Sequence, residues 1–161
     1  MGVGRQIRDV VTARNGRVQL ELGGHNPCIV FGDADLDMAV AAAVGGAMGS
    51  TGQKCTATRR IIAVGDIHDE LVDRLVAGVQ NLVVGDGQAA GVGIGPLVSP
   101  GARAEVSEAA AQARSEGAET VAVNGTTPDG PCFYPPTLFV GGTDLTITRE
   151  EVFGPVSTVM R

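Results

Sequence analysis

At 161 residues the chain is long enough for one domain with a sizeable core. Apolar residues make up 43%, charged residues 19%, and the net charge is −6 with no basic stripe, which argues against a nucleic-acid partner. No apolar run approaches the roughly 20 residues of a membrane helix, and Met1-Gly2-Val3-Gly4-Arg5 leads into a polar helix rather than a signal peptide, so the expected setting is cytoplasmic, with no membrane partner.

Glycine is abundant at 24 residues and aromatic residues are scarce at 3%, with no Trp. Small-residue packing with many tight turns suits an α/β domain better than a β-sandwich. Cys28, Cys55 and Cys132 are far apart and contain no CxxC pair, so they specify neither a disulfide framework nor a metal site.

In chain order, Ile7, Val10, Val11 and Arg14 fall at helical spacing, and Asn15-Gly16 ends that helix. Arg17 to Leu22 then alternates strictly, with Val18, Leu20 and Leu22 on one side. This predicts a strand ending at Gly23-Gly24. Glu21 would sit at its carboxyl end, where α/β sheets place their chemistry. Cys28-Ile29-Val30-Phe31 is wholly apolar, the pattern of a central parallel strand. Asp33 or Asp35 can cap the next helix, about 36–49, which is rich in Ala and Gly.

That helix delivers the chain to Gly52-Gln53-Lys54-Cys55-Thr56, and a β-rich run follows at 59–64. Asp66 is placed to cap a helix over 67–82, with Leu71, Val72, Leu75, Val76 and Val79 on its apolar face. Residues 85–98 read as a flexible glycine-rich loop. Ser99-Pro100 starts another helix, which ends at Gly117. Strands are predicted around 121–123, 138–140 and 156–160. The recurring strand–helix alternation indicates a mostly parallel sheet flanked by helices.

Two motifs fail on inspection. Gly91-Val92-Gly93-Ile94-Gly95-Pro96 lacks the third glycine and the following helix of a dinucleotide fingerprint. His25 and His68 have no partner at metal-ligand spacing and read as solvated residues. Cys55 has more promise. A cysteine beside Lys54, between a glycine-rich turn and a strand, is placed as a reactive thiolate would be. Its competing reading is a buried structural cysteine.

Four segments taken together change that balance: Glu-Leu-Gly-Gly-x-Asn-Pro at 21–27, Asp-Ala-Asp-Leu-Asp at 33–37, Gly-Gln-Lys-Cys at 52–55 and Glu-Val-Phe-Gly-Pro at 151–155. With Gly-Pro-Leu-Val-Ser at 95–99 and Pro-Pro-Thr-Leu at 135–138, this combination resembles the aldehyde dehydrogenase superfamily over essentially the whole chain. The resemblance implies oxidation of an aldehyde to a carboxylic acid through a cysteine thiohemiacetal and thioester. Cys55 would be the nucleophile and Glu21 the general base. Glu151 would accept hydrogen bonds from the nicotinamide ribose of NAD or NADP, with Phe153 beside the ring and Leu22 and Gly23 along it. Cys28 and Cys132 would be bystanders.

The resemblance also implies a domain division. Residues 1–20 would be the last helix and strand of a coenzyme-binding domain. Residues 21–161 would be a catalytic domain incomplete at its C-terminus. Both ends read as cuts through a longer protein, a homo-oligomer in its full-length form. An isolated chain would then be weak or inactive as a dehydrogenase. The alternative is a folded, non-catalytic fragment or interaction module with at most residual thiol esterase activity. Gly-Gln-Lys-Cys-Thr-Ala-Thr is similar to the subgroup acting on semialdehydes, where Arg59 or Arg60 could anchor a substrate carboxylate, although at least one should be structural.

Overall fold

The computed structural model describes residues 2–161. A single five-stranded sheet organises them, with strand order β1-β2-β5-β4-β3. The strands are β1 (Asn26–Val30), β2 (Thr58–Ala63), β3 (Glu119–Val123), β4 (Thr137–Val140) and β5 (Val156–Met160). β1, β2, β5 and β4 run parallel in that order, and β3 pairs antiparallel with β4. The mostly parallel α/β expectation therefore holds, with one antiparallel edge.

Helices cover both faces. α2 (Leu36–Met48) and α3 (His68–Gln80) lie on one side, and α4 (Pro100–Ser115) on the other. Leu71 and Leu75 of α3 are fully buried with Ala43 of α2 against Ile61, Leu138 and Val159. Each such Leu contributes about 1.5–3 kcal/mol by leaving water. Val106, Ala110 and Ala113 of α4 pack on Phe139 and Val156. Leu138 and Phe139 are neighbours in sequence, so the pleat sends them into opposite cores. β5 is central, and all five of its residues are buried.

The helix boundaries follow local chemistry. Asp35, rather than Asp33, caps α2, accepting from the Asp37 and Met38 amides at 3.0 and 3.1 Å. Ser99 caps α4 through the Ala102 amide at 3.1 Å, with Pro100 in the first turn. Asp66 does not cap α3; Ile67 occupies the cap position with no side-chain bond, and Asp69 and Glu70 supply the negative charge of the first turn.

Three further expectations are corrected. Residues 17–22 form no strand. The alternation is expressed in burial, with Val18 and Leu20 half-buried and Arg17, Gln19 and Glu21 exposed. It lacks a ladder partner among the described residues, and a strand exists only by pairing. Leu22 breaks the alternation: it is exposed, though its side chain lies on Gly4 of the N-terminal helix α1 (Gly2–Ala13). β1 is an edge strand rather than a central one, with Ile29 and Phe31 over half exposed. Finally, the glycine-rich loop is pinned at its base by a bridge between Val84 and Ile94, and Ile94 is buried. No described helix is long and apolar enough to cross a membrane.

Candidate active site

Three segments lead into the amino ends of three adjacent parallel strands. Residues 21–25 enter β1, residues 52–57 enter β2 and residues 151–155 enter β5. Because β1, β2 and β5 are neighbours, the topology alone gathers the motifs that are far apart in sequence. This is the opposite end of the strands from the one expected for Glu21.

Cys55 is exposed at the end of an unusual turn. α2 runs into a short 3₁₀ segment, Gly49–Gly52. Within it Ser50, Thr51 and Gly52 all have left-handed backbones, with φ of 53°, 57° and 65°. Gly52 adopts this freely. Thr51 is β-branched, and such a residue in this region costs on the order of 1–3 kcal/mol. Surrounding bonds compensate for the strain. The Thr51 hydroxyl donates to the Gly95 carbonyl at 3.1 Å, and the Gln53 side-chain oxygen accepts from the Val98 amide at 2.9 Å. Both partners lie in the Gly-Pro-Leu-Val-Ser segment, whose job is thereby visible.

Beside this turn runs Gly23-Gly24. A Cβ on Gly24 would lie 2.9 Å from the Cys55 carbonyl oxygen, and a Cβ on Gly23 would collide with Oε2 of Glu151. The glycine pair thus touches the cysteine on one side and the carboxylate on the other. Asn26, next along, donates from Nδ2 to the carbonyls of Cys55 and Ala57 at 2.7 and 3.1 Å.

Glu21 is exposed and accepts a 2.7 Å hydrogen bond from Gln19. It lies three positions before Gly24, so its backbone lies within about 11 Å of Gly24. Leu22, Gly23, Gly24 and His25 share an open groove of about 620 Å³ with Arg149, Glu150 and Glu151. Phe153 is 47% exposed and lines an adjoining depression with Glu151 and Val152. The structure therefore brings Cys55, Gly23, Gly24 and Glu151 into one contact chain. Glu21 stands on the same segment without bonding to any of them.

The arginines resolve differently from the carboxylate-anchor idea. Arg59 is 2% exposed and donates to three backbone carbonyls, those of Gly52, Gly154 (2.6 Å) and Val156 (3.2 Å). Arg60 donates to the His25 carbonyl at 2.8 Å. Both are occupied within the fold. Burial lowers the Arg59 pKa from its usual value, and the Glu151 charge offsets part of this.

Neither histidine is solvated. His68 is buried with Nδ1 2.8 Å from Asp69. Both ring nitrogens of His25 are buried without a well-formed hydrogen bond. Burial first, and then the Arg60 charge, push its pKa below the ordinary value, with the Thr148 backbone and Glu151 offsetting part. Cys28 is half-buried rather than fully buried, and burial raises its thiol pKa; Cys132 is also half-buried. No cluster of potential metal ligands occurs among the described residues.

The expectation that at least one of Arg59 and Arg60 is structural holds for both, while Asn26 had no role in the sequence beyond its place in the 21–27 segment. The signal for Asn26 was available: an amide beside a glycine pair can bond two carbonyls at once.

Comparison with known proteins shows the family. The family model for the aldehyde dehydrogenase family matches residues 1–161, and the chain belongs to that family. It is 44% identical over 142 residues to an NADP(+) succinate-semialdehyde dehydrogenase of Mycobacterium leprae, covering 87% of this chain and 31% of that one. It is 38% identical over 160 residues to a glutarate-semialdehyde dehydrogenase of Pseudomonas aeruginosa, covering 99% and 33%. Its fold superimposes on an aldehyde dehydrogenase of Bacillus cereus with a TM-score of 0.92 at 34% identity, covering 98% and 32%. A Staphylococcus aureus betaine aldehyde dehydrogenase in complex with NAD+ gives 0.89 at 34% identity, covering 98% and 32%. The chain thus spans about a third of the length of the relatives it matches.

Proposed function

We propose that this chain carries the cysteine and carboxylate chemistry of an NAD(P)-dependent aldehyde dehydrogenase. The observation that supports it best is the contact chain Cys55–Gly24–Gly23–Glu151 at the edge of an open groove. Cys55 is the nucleophile. Its sulfur forms a bond to the aldehyde carbon, and the carbonyl oxygen takes up the negative charge. The Cys55 amide contributes to holding that charge. Glu21 removes a proton from the water that later attacks the thioester. The C–S bond then breaks, releasing a carboxylic acid and regenerating the thiolate.

The residues present fit a nicotinamide cofactor. Glu151 is an exposed carboxylate over a position where a Cβ would block it, so ribose hydroxyls can donate to it. Phe153, Leu22 and Gly23 offer the adjoining surface. A bound nicotinamide would accept the hydride: the C–H bond of the Cys55 adduct breaks and its oxyanion re-forms the C=O of the thioester. We place the substrate among small aldehydes, with semialdehydes favoured by the two semialdehyde dehydrogenases among the relatives. Neither Arg59 nor Arg60 anchors its carboxylate, since both donate to backbone carbonyls. Residues 1–20 belong to a coenzyme-binding part and residues 21–161 to a catalytic part. The full-length form is a cytoplasmic homo-oligomer.

A second reading, a non-catalytic association module, draws on the exposed Ile29 of edge strand β1, on exposed Phe31 just past its end and on exposed Val3, Ile7 and Val10 of α1. Peptide-resolved iodoacetamide labelling and turnover of a nitrophenyl ester separate the two. Labelling at Cys55 is expected to outpace that at Cys28 and Cys132. Cys55→Ala should abolish ester turnover, and Glu21→Gln should acylate normally but turn over slowly. Equal, slow labelling of all three thiols supports the module. Undiminished turnover in Cys55→Ala removes Cys55 as the nucleophile.

A further inference from the structure

The buried guanidinium of Arg59 is used by no step above. It rises from β2 between the two loops that carry the site. One arm reaches the Gly52 carbonyl, three residues before Cys55; the other reaches the carbonyls of Gly154 and Val156, three and five residues after Glu151. Gly52 also lies against the Gly154 carbonyl, where a Cβ would collide. Arg59 makes no salt bridge among the described residues, and its Nε has no partner. A buried cation solvated only by carbonyls is an expensive way to fill a core. Its geometry has one evident product: it ties a strained turn to the opposite loop.

We propose that Arg59 is a positioning residue that holds the left-handed turn Ser50-Thr51-Gly52, and with it the Cys55 thiol, at a set distance from the Glu151–Phe153 loop. This rests on the assignment of Cys55 and Glu151 above. Among the described residues, the side-chain hydrogen bonds that tether this turn and Cys55 from outside run from Thr51 to Gly95, between Gln53 and Val98, from Arg59 to Gly52 and from Asn26 to the Cys55 carbonyl. Of these, Arg59 alone reaches the Glu151 loop. Two left-handed non-glycine residues in succession persist only where the surroundings hold them. Lysine keeps the charge but replaces a planar fork by a single point, so it cannot hold both loops in the same register.

The test compares wild type, Arg59→Lys, Gln53→Ala and Leu75→Ala. Leu75→Ala is a core control remote from the site, expected to lose stability without touching the turn. Each protein is melted and then labelled with iodoacetamide over a pH series, with Cys55, Cys28 and Cys132 quantified as separate peptides. In Arg59→Lys, Cys55 labelling is expected to slow about tenfold and its pH profile to shift, while Cys28 and Cys132 stay at wild-type rates. Gln53→Ala should move Cys55 in the same direction by less. Leu75→Ala should leave all three profiles unchanged.

If Arg59→Lys melts lower but keeps the wild-type Cys55 rate and profile, Arg59 is only structural and the inference is overturned. If Arg59→Lys does not fold, Gln53→Ala decides: an unchanged Cys55 profile there overturns the held-turn inference, and a slowed one supports it. Failure of the underlying functional reading looks different. Wild-type Cys55 would then label no faster than Cys28 and Cys132 before any substitution is made.

Discussion

Asn26 clips the Cys55 carbonyl. Its Nδ2 lies 2.7 Å from the Cys55 oxygen and 3.1 Å from the Ala57 oxygen, so one amide joins the start of β1 to the turn entering β2. The Cys55 carbonyl is also the atom that a side chain at position 24 would press upon. The backbone of the cysteine is therefore held from the β1 side by a hydrogen bond and by close packing, while its side chain is free to face solvent.

Removing that clip has a calculable cost. Asn26→Ala forfeits two hydrogen bonds, each worth about 0.5–1.5 kcal/mol net, so a stability loss of about 1–3 kcal/mol is expected in urea unfolding. Asn26→Asp should be worse, because it sets a carboxylate against two carbonyl oxygens. Both variants should slow ester turnover about tenfold through misplacement of Cys55. An Asn26→Asp protein as stable as wild type would show that the clip contributes nothing.

Gly23 makes the converse prediction, a change of function without loss of fold. Gly23 is exposed, and the group its Cβ would strike is the far end of the flexible Glu151 side chain. Gly23→Ala should therefore alter stability by no more than about 0.5 kcal/mol. Turning the Glu151 carboxylate aside removes a charged acceptor, so NAD+ or NADP+ affinity should fall about tenfold by calorimetric titration. Unchanged affinity in a stable Gly23→Ala protein would take Glu151 out of the cofactor surface.

His25 provides a pH readout beside the groove. Burial and the Arg60 charge hold its pKa below the ordinary imidazole value, so the folded chain resists taking up the proton more than the unfolded chain does. Its contribution to stability is fully present above the ordinary value and is lost as pH falls through the lowered one. Melting temperatures measured across about pH 5 to 8 should decline on the acid side. The decline should be shallower in His25→Asn, which cannot be protonated there. Parallel curves for the two proteins would rule out His25 as the titrating group.

Much of this was legible in the residues. The helices over 36–48 and 100–115 follow from apolar spacing and capping signals and the helix over 68–80 from spacing alone, and the cores they form are those the spacing predicts. The site was less so. Glu21 was placed at a strand's carboxyl end because Arg17 to Leu22 alternates, but alternation specifies two faces and not a hydrogen-bonded partner. The gathering of residues 21–25, 52–57 and 151–155 at the amino ends of β1, β2 and β5 depends on strand order, which no local pattern encodes. What Arg59 holds was hidden for the same reason. Two of its carbonyl partners lie 95 and 97 residues away, so a structural role for an arginine opening the strand could be expected but not which loops it joins.

Glu116 extends the logic of tethering to the far side of the Glu151 loop. Its carboxylate accepts from the Thr146 hydroxyl and amide, both at 2.6 Å, and from Gln112 at 2.8 Å. These bonds, the Thr146 hydroxyl foremost, hold its pKa below the usual glutamate value. They tie the C-terminal end of α4 to the short 3₁₀ turn Thr146–Thr148, which only Arg149 separates from Glu150 and Glu151. A depressed carboxylate pKa contributes stability that is present above the unfolded value and lost as pH falls through the folded one. Each Glu116 oxygen serves a different Thr146 donor, and Glu116→Gln replaces one of those acceptors by an NH2 donor. Its melting temperature should therefore lie below wild type at neutral pH, and the two curves should converge on acidification as wild-type Glu116 takes up its proton. NAD+ or NADP+ affinity should weaken in parallel at neutral pH, because the loop bearing Glu151 has lost its anchor to α4. Stability loss without any change in affinity would confine Glu116 to holding the helix end.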